Sequence, residues 1–562
     1  MKIRNMFLLG LCLVGSSLNA QIPSYNWAFP MGSSVDDYLI DLITDPAGNV
    51  YWTGHVGEAV DVDPGPGTTM VGLGGVRTCI LAKYTPEGEF VWEQHWPGAG
   101  YKLGIDQAGN IILNGTFTGT VSIGGTSHTS EGYDDIFVAS VSPAGVVNWS
   151  FALGGIEPDQ PTAVTIGPSG DIYVAGRSLL AVDFDPGPGA MVLTGLGLWD
   201  GFFARYTPEG DLVWAKLLST SGAEEIGFVE VDDDGMLYVG GTFRLELDFS
   251  LGAGGGTLSP VGTNGHFIAA YDTDGTFHWV RQFGGVGLSS LLHTALGDNW
   301  DGGTAIVVTG NFLDTLYLGT SSTYDALGPA DAYTIVYDAL GNILNSFTLG
   351  ADGSYVFAGD VVVKGNELLY SGSTSGTIDL DPRAGSQSMF TASAEKDVFL
   401  IHYSNTLEPL DINTWEGDGE EYAFQLWQDA GANLLMGVRF TSSFYQAPGT
   451  TADLVSSNGG DDFSIIKLGD NTITIGLEET ELPPFMIYPV PASTWFQVRL
   501  PDLLSDAHLT VYDARGRQVY AAVFASGESE MTVNARTWFS GIYVVVIRTT
   551  EGRATHKLVL SQ

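Results

Sequence analysis

Three segments place two aspartates two residues apart ahead of a kinked Pro-Gly run. They are Asp61-Val62-Asp63-Pro64-Gly65-Pro66-Gly67, Asp183-Phe184-Asp185-Pro186-Gly187-Pro188-Gly189 and the looser Asp379-Leu380-Asp381-Pro382-Arg383-Ala384-Gly385. Paired carboxylates followed by backbone carbonyls that the kink frees are hard oxygen ligands of the kind Ca²⁺ takes. The same residues also suit a local role, because an Asp side chain can end a strand and open a turn by bonding the backbone two residues on. The segments lack the regular third acid and terminal Glu of a calcium-binding helix-loop motif. Calcium is the one cofactor the sequence suggests, with Asp61, Asp63, Asp183, Asp185, Asp379 and Asp381 as candidate ligands.

No catalytic constellation accompanies them. The chain has no His-Glu-x-x-His zinc signature, Gly-x-Ser-x-Gly elbow, Walker loop or Cys pair. His55, His128 and His266 fall in different repeats without a partner at ligand spacing and read as core or surface residues. Adjacent acids such as Asp134-Asp135, Glu224-Glu225 and Asp461-Asp462 have the chemistry of a general acid and base facing across a pocket, although 65 acidic residues produce such neighbours by chance. No catalytic residue is therefore assigned.

The elements that must position any site are set by a repeat. Trp27, Trp92, Trp149, Trp214, Trp279, Phe347 and Trp415 recur at spacings of 65, 57, 65, 65, 68 and 68 residues, and self-similarity at one period signals repeated units. The third unit is plainest, with strands over 162–166, 171–176, 201–206 and 212–216. Two tight turns, Gly167-Pro168-Ser169-Gly170 and Thr207-Pro208-Glu209-Gly210, join them in pairs, each with Gly where a hairpin needs positive φ. Four-stranded antiparallel meanders repeated with short connections describe the blades of a β-propeller. The anchor aromatics, at a fixed register on outer strands, are expected to pack between neighbouring blades.

The phase of the repeat adds a closure. The first anchor corresponds to a fourth strand with no earlier strands before it, whereas 422–427, 432–440 and 462–468 supply three strands with no fourth. Pairing the two fragments removes exposed strand edges, so residues 25–30 are expected to complete the blade of 421–468 and close a seven-bladed ring. Both glycine turns of each unit then lie at one end. The opposite end, which holds the long loops and the Asp motifs, is the loop-rich face where an axial ligand is expected.

The repeat resembles the β-propeller repeats of secreted bacterial proteins through Asp183 to Gly189, Phe203-Ala204-Arg205-Tyr206, Gly210-Asp211-Leu212-Val213-Trp214 and Gly170-Asp171-Ile172-Tyr173-Val174-Ala175-Gly176. The sixth and seventh units depart most, with Ser404-Asn405-Thr406-Leu407-Glu408-Pro409 in place of a glycine turn. The resemblance implies a fold and a secreted location and carries no catalytic residues.

The two ends differ from the middle. Lys2 and Arg4, the apolar run to Val14 and Ser16-Ser17-Leu18-Asn19-Ala20 have the order of a secretory signal peptide over 1–20, cut after Ala20. An acidic, Pro-ended linker at 477–484 precedes a tail at 485–562 whose alternating strands read as a small Ig-like β-sandwich. Its segments Ile487-Tyr488-Pro489-Val490-Pro491-Ala492, Leu509 to Val519, Gly541 to Ile547 and Lys557 to Leu560 resemble the type A C-terminal sorting domain of the type IX secretion system of Bacteroidota, with Val490 where that family usually has Asn. The resemblance implies the type IX machinery as a partner of 485–562, and release or attachment at the cell surface.

Composition bounds the partners. Against 22 Lys and Arg stand 65 Asp and Glu, a formal charge of −43 concentrated in the middle segment, and such a field repels nucleic acid and anionic lipid. No membrane span is expected in the mature chain. Cys79, the single thiol after the leader, sits in an apolar run and reads as a small core residue. The expectation is thus an all-β chain: a signal peptide at 1–20, a seven-bladed propeller at 21–476, a linker and a sorting sandwich. Its expected role is a non-enzymatic binding module for a glycan, matrix polymer or protein. The alternatives are a secreted polysaccharide hydrolase or lyase using acids of the axial pocket, and a structural envelope protein. Acids and aromatics clustered at the axial mouth would favour the enzyme; a broad, shallow, acidic face would favour binding or structure.

Overall fold

Alternating apolar residues between glycine turns fold as strands throughout, and the computed structural model contains no helix among the described residues. These are 25–262, 264–286, 289–300, 303–319, 322–393, 395–449, 453–469, 486–488, 492–500, 507–513, 518–524, 530–536, 538, 541–549 and 552–560. The proposed signal peptide and linker lie outside them. The chain divides into two compact units, Met1–Ile473 and Thr474–Gln562.

The first unit holds seven four-stranded antiparallel meanders, numbered here in chain order. Sheet 1 runs Tyr38–Thr44, Val50–Val56, Thr78–Tyr84, Phe90–Pro97, and sheet 3 runs Gln160–Ile166, Ile172–Ser178, Asp200–Tyr206, Leu212–Leu218. Each sheet is open. The first strand of every sheet lies against the first strand of the next, and that of sheet 7 (Glu421–Gln428) lies against that of sheet 1. Sheet 7 takes its outer strand from Tyr25–Met31, which pairs with Asp462–Leu468 in the register Ala28 to Ile466 and Phe29 to Ile465. The order of this sheet is what the phase of the repeat requires.

The joining turns follow local chemistry. In the second turn of sheet 3, Gly210 N–H bonds Thr207 O at 2.9 Å and Thr207 N–H bonds Asp211 O at 2.8 Å, a three-residue loop that places Gly210 at φ 91°. Where the sequence lacks glycine the backbone still adopts the left-handed conformation, at Leu407 (φ 60°) and Ala432 (φ 63°).

The outer strands are latched to the next sheet. The Trp27, Trp92, Trp149, Trp214 and Trp279 indoles donate to Pro86, Pro143, Pro208, Thr273 and Ala339 carbonyls at 3.0 to 3.2 Å. Each acceptor is the second residue of the neighbouring sheet's second turn. A side chain on Gly145 or Gly341 would meet the Trp92 or Trp279 ring at under 3 Å, so glycine there serves both the turn and the latch. Two of the seven anchors are corrected. Strand pairing places Asn345 opposite Val336 and Asp411 opposite His402 at the latch register, with Phe347 two and Trp415 four residues further along. Asn345 Nδ2 donates to Asn405 O at 3.1 Å in place of an indole.

The segment between second and third strands is also more ordered than a loop: it forms a small hairpin, such as Ala181–Asp183 with Val192–Thr194. In sheet 5 this hairpin (Thr315–Leu318, Ser322–Asp325) hydrogen-bonds along the outer strand of sheet 4, Phe283 to Leu318. Val182 and Phe184 likewise join one core with Phe151 and Leu153 of the preceding outer strand and Tyr206 of their own sheet. Burying these apolar hairpins against the preceding sheet's outer strand takes their apolar surface out of water.

The second unit contains a three-stranded sheet (Met486–Tyr488, Trp495–Arg499, Glu530–Asn534) and a four-stranded one (Gln518–Phe524, Ala507–Asp513, Gly541–Thr549, Gly552–Leu560). Phe496, Val498 and Val533 from one share a core with Leu509, Val545 and Leu558 from the other.

Candidate functional site

Each of the seven first strands carries a β-bulge at the same level, between Leu39 and Asp41, Gly100 and Lys102, Pro161 and Ala163, Ile226 and Phe228, Leu291 and His293, Ala358 and Val361, and Ala423 and Gln425. Bulges re-aim side chains. Here Asp41, Lys102, His293, Asp360 and Gln425 line one cavity of about 380 Å³, with Glu230 two residues past the bulge of sheet 4. The cavity draws on all seven first strands and lies where they meet.

Part of this polar ring is structural. Asp41 Oδ2 accepts Leu103 N–H of sheet 2 at 2.8 Å, and Asp360 Oδ2 accepts Leu426 N–H of sheet 7 at 2.9 Å, so equivalent acids bond the next sheet. Gln425 Nε2 donates to Ile40 O at 2.9 Å, and Thr162 Oγ1 to Ile226 O at 2.6 Å. Lys102 Nζ forms an ion pair with Asp41 at 3.4 Å, and His293 Nδ1 lies 3.4 Å from Asp360. Burial pushes the Asp41 carboxyl up, against the pull of Lys102. Burial also raises Glu230 to about 7; Lys102 opposes this, and the negative charges of Asp41 and Asp360 add to it. Glu230 therefore exchanges its proton near neutrality, a property shared by general acids and bases.

A second cavity of about 330 Å³ also borders His293 and is lined by Tyr38, Phe357, Tyr422, Phe424, Arg439 and Asp37. Its walls are largely apolar and aromatic. The Arg439 guanidinium carbon lies 4.7 Å from the Tyr422 ring centre and 6.0 Å from that of Tyr38. Phe357 stacks with Tyr355, which is 46% exposed, at 6.2 Å between centroids and 5° between planes. Acids and aromatics thus occupy adjoining cavities that share His293.

The sequence-predicted acids lie elsewhere. Asp183 Oδ1 accepts Asp185 N–H at 3.1 Å and Met191 N–H at 2.7 Å, and Asp185 Oδ1 accepts Gly187 N–H at 2.8 Å. Asp61 and Asp63 repeat this pattern with Asp63, Thr69 and Gly65 N–H. Asp379 repeats it with Asp381 and Ser388 N–H, and Asp381 also binds the Arg383 guanidinium at 2.9 to 3.0 Å. A fourth instance, Asp248, accepts Ser250 and Gly252 N–H. The residue between the acids is buried, and its carbonyl accepts a tyrosine hydroxyl: Tyr84 to Val62, Tyr206 to Phe184, Tyr403 to Leu380. These motifs were expected on the loop-rich face. Instead Asp63 to Pro66 borders Glu87 to Phe90 at the glycine-turn end, beside Trp27 and Phe29. Among the described residues no group of three or more His, Cys, Asp or Glu is placed to hold a metal ion.

The adjacent acid pairs do not face across a pocket. One member of each enters a seam between sheets: Asp135 with Asp159, Asp200 with Glu224, and Asp462 with Asp37; Asp397 and Glu421 form a fourth seam. Asp159 accepts Gly155 and Leu179 N–H, and Asp135 accepts Glu131 N–H. Burial, chiefly, raises Asp135 to about 6, Asp159 to about 7 and Glu421 to about 8. Of the histidines, His128 pairs with Ser150 Oγ at 2.8 Å and His266 stacks on Phe283. Cys79 is buried, and burial lifts its thiol to about 12.

The axial residues escaped notice in the sequence although a signal existed. Each is a polar residue inside an otherwise apolar first strand, recurring at the repeat period, as in Tyr38-Leu39-Ile40-Asp41-Leu42-Ile43 and Ala99-Gly100-Tyr101-Lys102-Leu103.

Comparison with known proteins bears most on the C-terminal end. Residues 486–561 match the secretion system C-terminal sorting domain, which marks the chain for export by the type IX secretion system to the cell surface or extracellular space. The chain is 25% identical over 187 residues to the regulatory protein FlaEY of Caulobacter vibrioides, covering 30% of this chain and 18% of that one. It is 22% identical over 231 residues to the uncharacterized WD repeat-containing protein L264 of Acanthamoeba polyphaga mimivirus, covering 35% and 17%. The chain thus spans less than a fifth of these relatives. Solved structures with some likeness include an ACO/RPE65 chimera (10% identity, 80% and 95% coverage, TM-score 0.33) and cobalt-substituted Synechocystis ACO (11%, 80% and 94%, TM-score 0.33).

Proposed function

We propose that this exported chain is a seven-bladed β-propeller, closed by its first mature strand and followed by an Ig-like sorting sandwich, that binds an extracellular ligand at its axial mouth without transforming it. The observation that carries the reading is the aromatic cavity of Tyr38, Phe357, Tyr422 and Arg439 beside the axis, built on rigid strands from several sheets. The cyclic contact of the first strands and the WD-repeat naming of one relative support the propeller. The axial acids that bond neighbouring sheets are occupied in holding the ring together, which favours binding over catalysis. The test is a glycan and matrix-protein array probed with the full chain. Reproducible capture by one ligand class, lost on Tyr422→Ala, supports the reading; a clean negative moves the protein to a structural role in the envelope.

Two observations favour the second reading, a polysaccharide hydrolase or lyase: acids and aromatics occupy adjoining cavities at the axis, and Glu230 exchanges its proton near neutrality in a cavity shared with Asp41 and Asp360. Release of reducing ends from a polysaccharide panel, abolished by Glu230→Gln, would establish it.

A further inference from the structure

The end of the first unit opposite the glycine turns holds a run of apolar side chains in solvent across sheets 2 to 4. Tyr133, Ile156, Leu196 and Leu198 are 62, 64, 75 and 67% exposed, and Leu180 and Leu245, each two residues past a second strand, are exposed beside them. Contacts between the loops join these six into one arc. The Ile156 carbonyl lies against Gly132 and the Ala181 carbonyl against Gly155. Leu180 O accepts Gly195 N–H and Gly222 O accepts Leu198 N–H, both at 2.8 Å, and the Leu245 side chain lies on Gly222. A Cβ on Gly132 or Gly155 would stand 2.1 or 2.3 Å from those carbonyls, so the loops stack backbone on backbone and leave no interior for their own side chains to enter.

Single exposed apolar residues are ordinary on a protein surface, whereas six joined in one arc mark a contact surface. The far side of the same end differs. Two residues ahead of the buried Asp that opens the third strand stand Tyr133 and Leu198 in sheets 2 and 3, but Glu395 and Gly460 in sheets 6 and 7. Charge then narrows the partner. Arg77 pairs with Asp134 at 3.6 Å and Arg177 with Glu225 at 3.0 Å; with the seam acids buried, Glu131, Glu157 and Glu246 remain beside the arc against Arg244. A second copy of the chain, itself at −43, is repelled as any polyanion is, and a partner of opposite charge is drawn in by the same field.

We infer that this arc docks an amphipathic segment of a cationic protein, its apolar side chains on Ile156, Leu196 and Leu198 and its basic ones toward Glu131, Glu157 and Glu246. The surface shares no residue with the aromatic cavity at the axial mouth, whose walls come from sheets 1, 5, 6 and 7, so it stands apart from the ligand reading above.

The full chain is titrated by fluorescence anisotropy, at physiological ionic strength so that distant charges are screened, with three labelled synthetic peptides of equal length. One alternates leucine and lysine in amphipathic order, the second has serine in place of leucine, and the third has glutamate in place of lysine. The leucine–lysine peptide is expected to bind tightest. Leu196→Ser combined with Leu198→Ser is expected to weaken it about 10- to 100-fold, the loss of two partly buried leucine contacts, and to leave the serine–lysine peptide unchanged. Leu340→Ser, which removes a leucine 68% exposed at the glycine-turn end, is expected to change neither. Equal affinity for the leucine–lysine and serine–lysine peptides, an equal loss from Leu340→Ser, or tightest binding of the glutamate peptide would overturn the inference. A dimer of the unaltered chain in sedimentation, split by the double variant, would give the surface to a second copy instead. The two leucines lie in solvent, so the double variant is expected to keep the native melting temperature; should it fail to fold, Ile156→Ser decides by the same comparison.

Discussion

Glu421 is buried at the seam of sheets 6 and 7 with Asp397 as its charged, hydrogen-bonding neighbour, against which the Gly419 N–H is a lesser pull. Burial, first, and then the Asp397 charge raise it from 4.5 to about 8. The folded state therefore keeps a proton that the unfolded chain releases, so stability is full below pH 4.5 and falls as pH rises from there to 8. The slope is at most about 1.4 kcal/mol per pH unit, which accumulates to about 5 kcal/mol as an upper bound over that window. Glu421→Gln keeps the shape and cannot ionise. Its urea midpoint should match the unaltered protein near pH 4.5 and exceed it by a growing margin toward pH 8.5, at unchanged m. Parallel pH profiles for the two proteins would refute the seam argument, and a glutamine variant less stable at every pH would show that Glu421 is ionised and usefully paired in the folded state.

Other perturbations separate the remaining parts of the account. Asp183→Ala removes the acceptor of two backbone N–H groups and should cost about 1 to 3 kcal/mol, equally in excess calcium and in chelator, by thermal melting. A calcium-dependent rise in the unaltered protein, lost in the variant, would instead make the aspartate a metal ligand. Gly210→Ala and Ala432→Gly should have opposite signs: the first forces a side chain into φ 91°, costing about 1 kcal/mol or more, whereas the second relieves φ 63°. Trp149→Phe, which drops the bond to Pro208 O, should lower stability by about 1 kcal/mol; no change would mean the latch contributes only packing.

Much of this architecture was legible because it is written locally. Strand alternation and the glycine turns fix each meander within a few residues, and the missing strand at one end with the surplus at the other indicated the pairing of Trp27 with its distant partner. What the sequence hid depends on tertiary space. The Asp61 and Asp183 hairpins pack beside the outer strand of the preceding sheet, a partner that no residue of the hairpin announces. The anchors slipped in units 5 and 6 because Asn345 and Asp411 stand at the latch register while nearby aromatics imitate it. Asp41, Lys102 and His293 left a trace, a polar residue within an apolar strand, but only seven bulges at one level bring them together.

The closed ring and its proposed mouth rest on the strand Tyr25–Met31 completing the seventh sheet. The direct measurement is a disulfide across that join: Ala28→Cys with Ile466→Cys in a Cys79→Ala background, residues that face one another in the pairing. The account predicts rapid oxidation to an intramolecular bridge, read by mass spectrometry as a linked pair of peptides, and an N-terminal segment retained after cleavage at an introduced protease site following Met31. Thiols that stay free, or bridge only between molecules, would contradict it.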